Sequence, residues 1–207
     1  MLIQPSFFAS VIQYVVLANS HDIVFEKCDN FQKQTYRNRC YIYGANGKQL
    51  LTVPILHSKG LGRQKTIDVK IDNSFPWQKQ LIKSLESSYR SSPYFEFYED
   101  DISEIFNKKH TSLFDFNLYA HEVISECLQL ENSISFTESF IENLKDGTDF
   151  RYLVEAKREP AYDLKRYTQV FESKHGYIDN LSILDLLFNE GTNALQYLEN
   201  HKAILIK

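Results

Sequence analysis

The stretch MLIQPSFFASVIQYVVLANSHDIVF, residues 1–25, decides the fold. Met1 to Ile3 is a short apolar run closed by Gln4-Pro5, which suits a strand that ends in a loop. Ser10 stands where an N-cap belongs, ahead of a helix from Val11 to Ala18. Asn19-Ser20-His21-Asp22 interrupts it, and Ile23-Val24-Phe25 reads as a second strand. Strand, helix and strand in so short a span are the mark of a parallel crossover, because parallel neighbours need a connection long enough to bring the chain back. Ligands in open α/β sheets bind beyond the carboxyl ends of the strands, so the Gln4-Pro5 loop is the first place to look for a site.

Working outward, Cys40-Tyr41-Ile42-Tyr43 and Gln49 to Val53 form a hairpin around Gly44-Ala45-Asn46-Gly47, whose Asn-Gly pair tolerates positive φ. Pro54 closes the second of these strands. From Lys65 to Asp72 the residues alternate, with Ile67, Val69 and Ile71 on one face, which predicts a half-buried strand. At Pro76 the period changes. Trp77, Leu81, Leu85 and Tyr89 recur four apart, Tyr94 to Phe106 and Ser112 to Leu130 carry similar spacings, and three successive helices are expected. Lys145 to Arg166 is polar and without period, so it reads as a long irregular connection. Ser182 and Asp185 form a capping-box variant for a helix that Gly191 can close, and Asn193 would cap a final helix. The fold class is therefore α/β, with a mixed sheet of about five strands in residues 1–75 and a mainly helical part in 76–207.

The chain has 207 residues with three cysteines, Cys28, Cys40 and Cys127. An odd number of widely spaced thiols suits a reducing compartment, and the N-terminus lacks the basic region of a signal peptide. A cytoplasmic location is expected, and no run reaches the roughly 20 apolar residues of a membrane span. The net charge of −4 divides unevenly: residues 1–75 hold 9 Lys/Arg and 5 Asp/Glu, and the remainder holds 14 and 22. That distribution fits a local anion site in the front half better than a nucleic-acid surface, and no nucleic-acid partner is expected.

Tyr36-Arg37-Asn38-Arg39 carries the strongest chemical signal. Two guanidiniums two residues apart at a strand start share a face, and the planar Arg fork suits carboxylate or phosphate oxygens. The same pattern also serves as a solvated strand edge. Ser58 to Lys65, basic and glycine-bearing, reads as an exposed loop or as a lid over an anion. Cys28 would need a histidine such as His57, His121 or His175 beside it to act as a nucleophile. Cys40 and Cys127 suit packed hydrophobes. Ligand spacings for a metal are absent, so neither a metal nor another cofactor is expected. Glu99-Asp100-Asp101 with Glu104 reads as a solvated helix face.

In their order along the chain, Gln4-Pro5 with a following aromatic, Arg37-Asn38-Arg39, Leu51-Thr52-Val53-Pro54, Trp77, Tyr89-Arg90, Pro93-Tyr94-Phe95, Tyr167-Thr168-Gln169 and Asn180 to Phe188 resemble the WbqC-like proteins. The resemblance covers most of residues 1–207 and implies one WbqC-like domain. It implies a bacterial protein acting on an anionic sugar precursor in surface-polysaccharide, O-antigen-like biosynthesis. The ligand would be a nucleotide sugar or an acyl donor, and acyl or aminoacyl transfer is one chemically sensible activity. By the same resemblance Gln4, Tyr36, Arg37, Asn38, Arg39, Tyr167, Gln169 and Asn180 bind the substrate. The chain departs from the family at Phe8-Ala9-Ser10-Val11, where a Pro-Trp pair and a glycine are usual, and it lacks a glycine-rich segment in its second half. Those departures leave a second reading open, a non-catalytic binding or scaffold protein in a glycan-assembly complex. An enzyme requires Gln4, Arg37, Arg39, Tyr167 and Asn180 to meet in one concave pocket.

Overall fold

The computed structural model describes residues 1–56, 62–157 and 160–202. The crossover is present: β1 (Leu2–Ile3), α1 (Val11–Ala18) and β2 (Asp22–Phe25), with β1 parallel to β2. The hairpin follows as β3 (Arg39–Gly44) and β4 (Gly47–Thr52), and Gly47 takes a φ of +99° at the turn. Then come α2 (Trp77–Tyr89), α3 (Phe95–Asn107), α4 (Leu113–Leu128), β5 (Ser133–Phe136), α5 (Glu172–His175), α6 (Ile183–Glu190) and α7 (Ala194–Glu199). No helix among the described residues is long and apolar enough to cross a membrane.

The expected single mixed sheet is corrected to two small ones, a parallel β1-β2-β5 sheet and the antiparallel β3-β4 hairpin. Residues 65–72 do not form a strand. They turn in a 3-10 helix at Thr66–Asp68 and then make single bridges from Lys70 to Ser112 and from Ile71 to Ile55. Alternation misleads here because Thr66, not Ile67, is the buried residue. Its hydroxyl donates to Asp29 at 2.5 Å, while Ile67 stays 37% exposed. The third parallel strand is β5, paired with β2 in the register Ile23 to Ile134 and Phe25 to Phe136. Beyond β1 the chain returns at residues 148–150, where Leu2 bridges Asp149 in parallel. Four extended segments thus run in one direction and end at one edge.

α1 is buried on every side, from Val11 to Leu17, as its all-round apolar sequence requires. Its first turn would leave buried N–H groups unpaired. Val11 N–H donates to the Leu181 carbonyl, and Ile12 N–H donates to Asn180 Oδ1 at 2.9 Å. In return Ile183 N–H and the Ser182 hydroxyl donate to the Ala9 and Phe8 carbonyls. The N-termini of α1 and α6 cap each other across the molecule. Trp77, Leu81, Leu85 and Tyr89 all face inward from α2, as their spacing requires, and join Ile3, Phe25, Ile42, Ile105, Phe116 and Leu184 in one contiguous apolar cluster.

Ser112 caps α4 by accepting from Asp115 N–H. Ser182 caps α6 by accepting from Leu184 N–H, while the Asn193 side chain makes no cap bond to α7. Gly191 closes α6 at φ +55°, with ψ at −124° outside the αL region. A Cβ there would lie 2.5 Å from Cδ1 of Tyr94. Gly191→Ala is therefore expected to destabilise the protein by about 1–3 kcal/mol, through strain and a forced shift of the Tyr94 ring. Urea denaturation measures this, and a change below about 0.5 kcal/mol would mean the close approach relaxes freely.

Candidate functional site

At the carboxyl edge of the parallel sheet each segment delivers a polar side chain. Gln4 follows β1, Glu26 and Asp29 follow β2, Thr137 follows β5, and Arg151 follows the 148–150 segment. Tyr36 ties the loop before β3 onto this edge, its N–H donating to the Val154 carbonyl and its carbonyl accepting from Phe7 N–H. That places Arg37 over the same edge. A cleft of about 370 Å³ opens there, bordered by Gln4, Asp29, Arg37, Asp149, Arg151 and Glu155, with Phe140 and Tyr152 also on its wall.

Asp29 is the hub. It is 6% exposed and accepts from Arg37 Nη2 at 2.5 Å, Gln4 Nε2 at 2.9 Å and the Thr66 hydroxyl. Arg37 is equally sealed, and its Nη1 donates to the Thr35 hydroxyl. Burial pulls the Arg37 guanidinium below its ordinary pKa, and the Asp29 charge and hydrogen bond oppose that. An arginine so placed remains ionised. The floor is therefore an ion pair held by neutral donors.

A second pair stands beside it. Arg151 Nε and Nη2 donate to Asp149, Nη1 donates to the Ile141 carbonyl at 2.5 Å, and Nη1 reaches Glu26 at 3.3 Å. Glu26 is fully buried and also accepts from Thr137 and from Cys28 N–H. Burial raises the Asp149 carboxyl, but its contacts with Arg151 outweigh that and hold it below the usual range. Asp149 in turn holds the Arg151 guanidinium above its usual value.

The eight substrate-binding candidates divide. Gln4 and Arg37 meet in the cleft. Tyr36 is buried, edge-on to Tyr41, and does not line the cleft. Asn38 donates to the Val53 carbonyl and secures the hairpin, and Arg39 is a half-buried first residue of β3. Tyr167 and Gln169 meet each other elsewhere, on Asp185: the Tyr167 hydroxyl and Gln169 Nε2 both donate to Asp185 Oδ2, at 2.7 and 2.8 Å. Asn180, at φ +49°, sits over the N-terminus of α1. The five side chains required to meet in one pocket do not all do so.

Sequence reasoning missed Asp29, Asp149, Arg151 and Glu26. A local Asp149-x-Arg151 spacing was the one available signal, and it lay inside a segment read as irregular. Asp185 was misassigned to capping: it is wholly buried and accepts from Tyr89, Tyr167 and Gln169. Cys28 Sγ contacts the Thr137 carbonyl, not a histidine. His121 lies instead against the Tyr14 hydroxyl and Ser125, and burial lowers its pKa to about 4. Cys40 is buried in the core, and burial pushes the Cys127 thiol up to about 12. Residues 57–61, which include His57 and the first half of the glycine-bearing basic loop, lie outside the described residues. Among the described residues no group of three or more His, Cys, Asp and Glu side chains is placed to hold a metal ion.

A groove of about 490 Å³ lies between α3 and α4, with Asp101, Glu104, Glu122 and Glu126 on its walls. It is away from the strand ends, beyond which ligands of open α/β sheets bind, so the smaller cleft is the better candidate.

The ion-paired polar cleft thus lies beyond the carboxyl edge of a parallel sheet, the place where ligands of open α/β sheets bind. The chain belongs to the WbqC-like protein family, whose sequence model matches residues 4–158. That span contains every residue of the cleft and excludes Tyr167, Gln169 and Asn180. The chain is also similar to the uncharacterised protein Rv1507c of Mycobacterium tuberculosis, 27% identical over 196 residues, covering 81% of this chain and 83% of that one. No solved structure gives a significant match.

Proposed function

We propose that this WbqC-like protein binds a nucleotide-sugar-type precursor of surface polysaccharide in the carboxyl-edge cleft, gripping it by the sugar. The observation that carries this reading is the pairing of a sealed polar floor with exposed aromatic walls. Gln4, Asp29 and Arg37 are fixed by one another, so they offer planar polar groups in set directions. Phe140 and Tyr152 are each 54% exposed beside them, and the Arg151 guanidinium lies 5.4 Å from the Phe140 ring centre. Aromatic faces for C–H groups and fixed planar groups for hydroxyls together suit a sugar ring. Acyl or aminoacyl transfer onto such a sugar is the reaction this reading accommodates, and a non-catalytic carrier in a glycan-assembly complex is its alternative.

Thermal shift against a panel of nucleotide sugars tests the binding. A ligand at 100 times its Kd adds about 2.7 kcal/mol of stability. Phe140→Ala and Tyr152→Ala are expected to remove the shift, while each costs the unliganded protein no more than about 0.5 kcal/mol, as exposed positions do. If no panel member shifts the folded protein, the sugar-binding reading is wrong. Turnover of a bound sugar in the presence of an acyl donor would separate the enzyme from the carrier.

A further inference from the structure

Resting on the sugar-binding reading, we infer that the sugar this cleft selects carries a free, positively charged amino group next to a hydroxyl: an unacylated amino sugar. The expectation from the Arg37 region was an anion clamp, and the hydrogen bonds argue against it. Arg151 has Nε, Nη1 and Nη2 all engaged by Asp149, Glu26 and the Ile141 carbonyl. Arg37 has Nη1 on Thr35 and Nη2 on Asp29. Both guanidiniums are therefore neutralised by carboxylates, and Arg151 has every nitrogen engaged. Among the described residues the lining adds Glu155, so three carboxylates (Asp29, Asp149 and Glu155) face two guanidiniums, with Glu26 buried behind Arg151. A phosphate or carboxylate entering here would meet a net negative wall, whereas an ammonium would meet an opposite charge.

Among the described residues two buried side-chain atoms at the floor have no hydrogen-bond partner, Gln4 Oε1 and Arg37 Nε. The Gln4 amide cannot flip to exchange its atoms, because Asp29 requires the Nε2 donor. One unmet acceptor and one unmet donor result, on two side chains whose Nε2 and Nη2 atoms converge on the same Asp29 Oδ2. Buried groups in that condition cost stability until something pairs them. A vicinal amino alcohol pairs both at once: the ammonium donates to Gln4 Oε1, and the adjacent hydroxyl oxygen accepts from Arg37 Nε–H. An acetamido group could also offer a donor and an acceptor, but it carries no charge for Glu155 and Asp149 to attract. Charge therefore separates the amine from its acylated form.

The experiment is calorimetric titration of the full-length protein with three probes that share one nucleotide: UDP-glucosamine, UDP-N-acetylglucosamine and UDP-glucose. The free amine is expected to bind about tenfold more tightly than either neutral sugar, equivalent to about 1.4 kcal/mol. That preference should shrink on adding salt, and it should collapse toward equality in Glu155→Gln, an exposed position whose loss leaves the fold intact. If no probe binds, the sugar-binding reading itself fails. If the probes bind equally, or the acetylated or hydroxyl sugar binds more tightly, the site stands and the amine inference is overturned. A preference for the amine that survives both Glu155→Gln and high salt overturns the inference that wall charge selects the ligand.

Discussion

Arg37→Ala is expected to lower stability by about 3–5 kcal/mol, the usual cost of removing one partner from a buried ion pair. For a chain of this size that is a fall of roughly 6–20 °C in melting temperature. Its cause is Asp29. In the native protein that carboxylate is 6% exposed and has one charged partner, Arg37, with Gln4 and Thr66 as neutral donors. Without the guanidinium, an anion remains buried among neutral donors. Asp29→Ala should cost a similar amount for the converse reason. Replacing both together, as Arg37→Met with Asp29→Leu, should recover part of the loss, because two apolar groups leave no charge unpaired. Urea denaturation of Arg37→Met, Asp29→Leu and the double variant that combines them gives the coupling between the two positions. Additive losses would mean that the pair does not act as a unit. The double variant also separates folding from binding: a protein that folds without the pair should still fail to bind sugar.

The crossover was legible because its signals are local. A strand closed by Gln4-Pro5, a capped apolar helix and a second strand each announce themselves within a few residues. The hairpin and α2 were legible for the same reason, one through its Asn-Gly turn and the other through the spacing of Trp77, Leu81, Leu85 and Tyr89. β5 was not, because Ser133-Ile134-Ser135-Phe136 is short and exposed and takes its place only by pairing with a strand more than a hundred residues earlier. Residues 65–72 failed in the opposite sense. Their alternation is genuine and Val69 and Ile71 are buried as it requires, yet the turn that seats Thr66 on Asp29 leaves Ile67 exposed and replaces the strand by a 3-10 helix.

The site was half visible. Gln4 and Arg37 were found, one from the end of a predicted strand and the other from an unusual pair of arginines. Apart from the Asp149-x-Arg151 spacing, their partners Asp29, Asp149 and Arg151 carry no local pattern, since what unites them is the common edge of four segments distant in sequence. Asp185 was visible but misassigned, because a capping explanation was sufficient nearby and the Tyr89 and Tyr167 hydroxyls come from elsewhere in the fold.

That carboxylate should make the protein's stability depend on pH in a direction opposite to most aspartates. Asp185 is wholly buried with Tyr89, Tyr167 and Gln169 as donors and no cation among them. Burial raises its pKa above the ordinary value, and the three hydrogen bonds only partly offset that. A carboxyl whose folded pKa lies above its unfolded one holds its proton more tightly in the native state. Its contribution is therefore full below the unfolded value, near 3.9, and is lost as pH rises through the folded value. Asp185→Ala leaves two phenols and an amide N–H without their acceptor and should cost about 2–4 kcal/mol at acidic pH. Asp185→Asn keeps the shape but cannot ionise, so it isolates the titration. The stability of the native protein minus that of Asp185→Asn should be largest near about pH 4 and should shrink toward about pH 7. A difference that grows with pH would show that the three donors stabilise the ionised carboxylate more than burial penalises it, and the buried acid would then hold this corner of the fold as an anion.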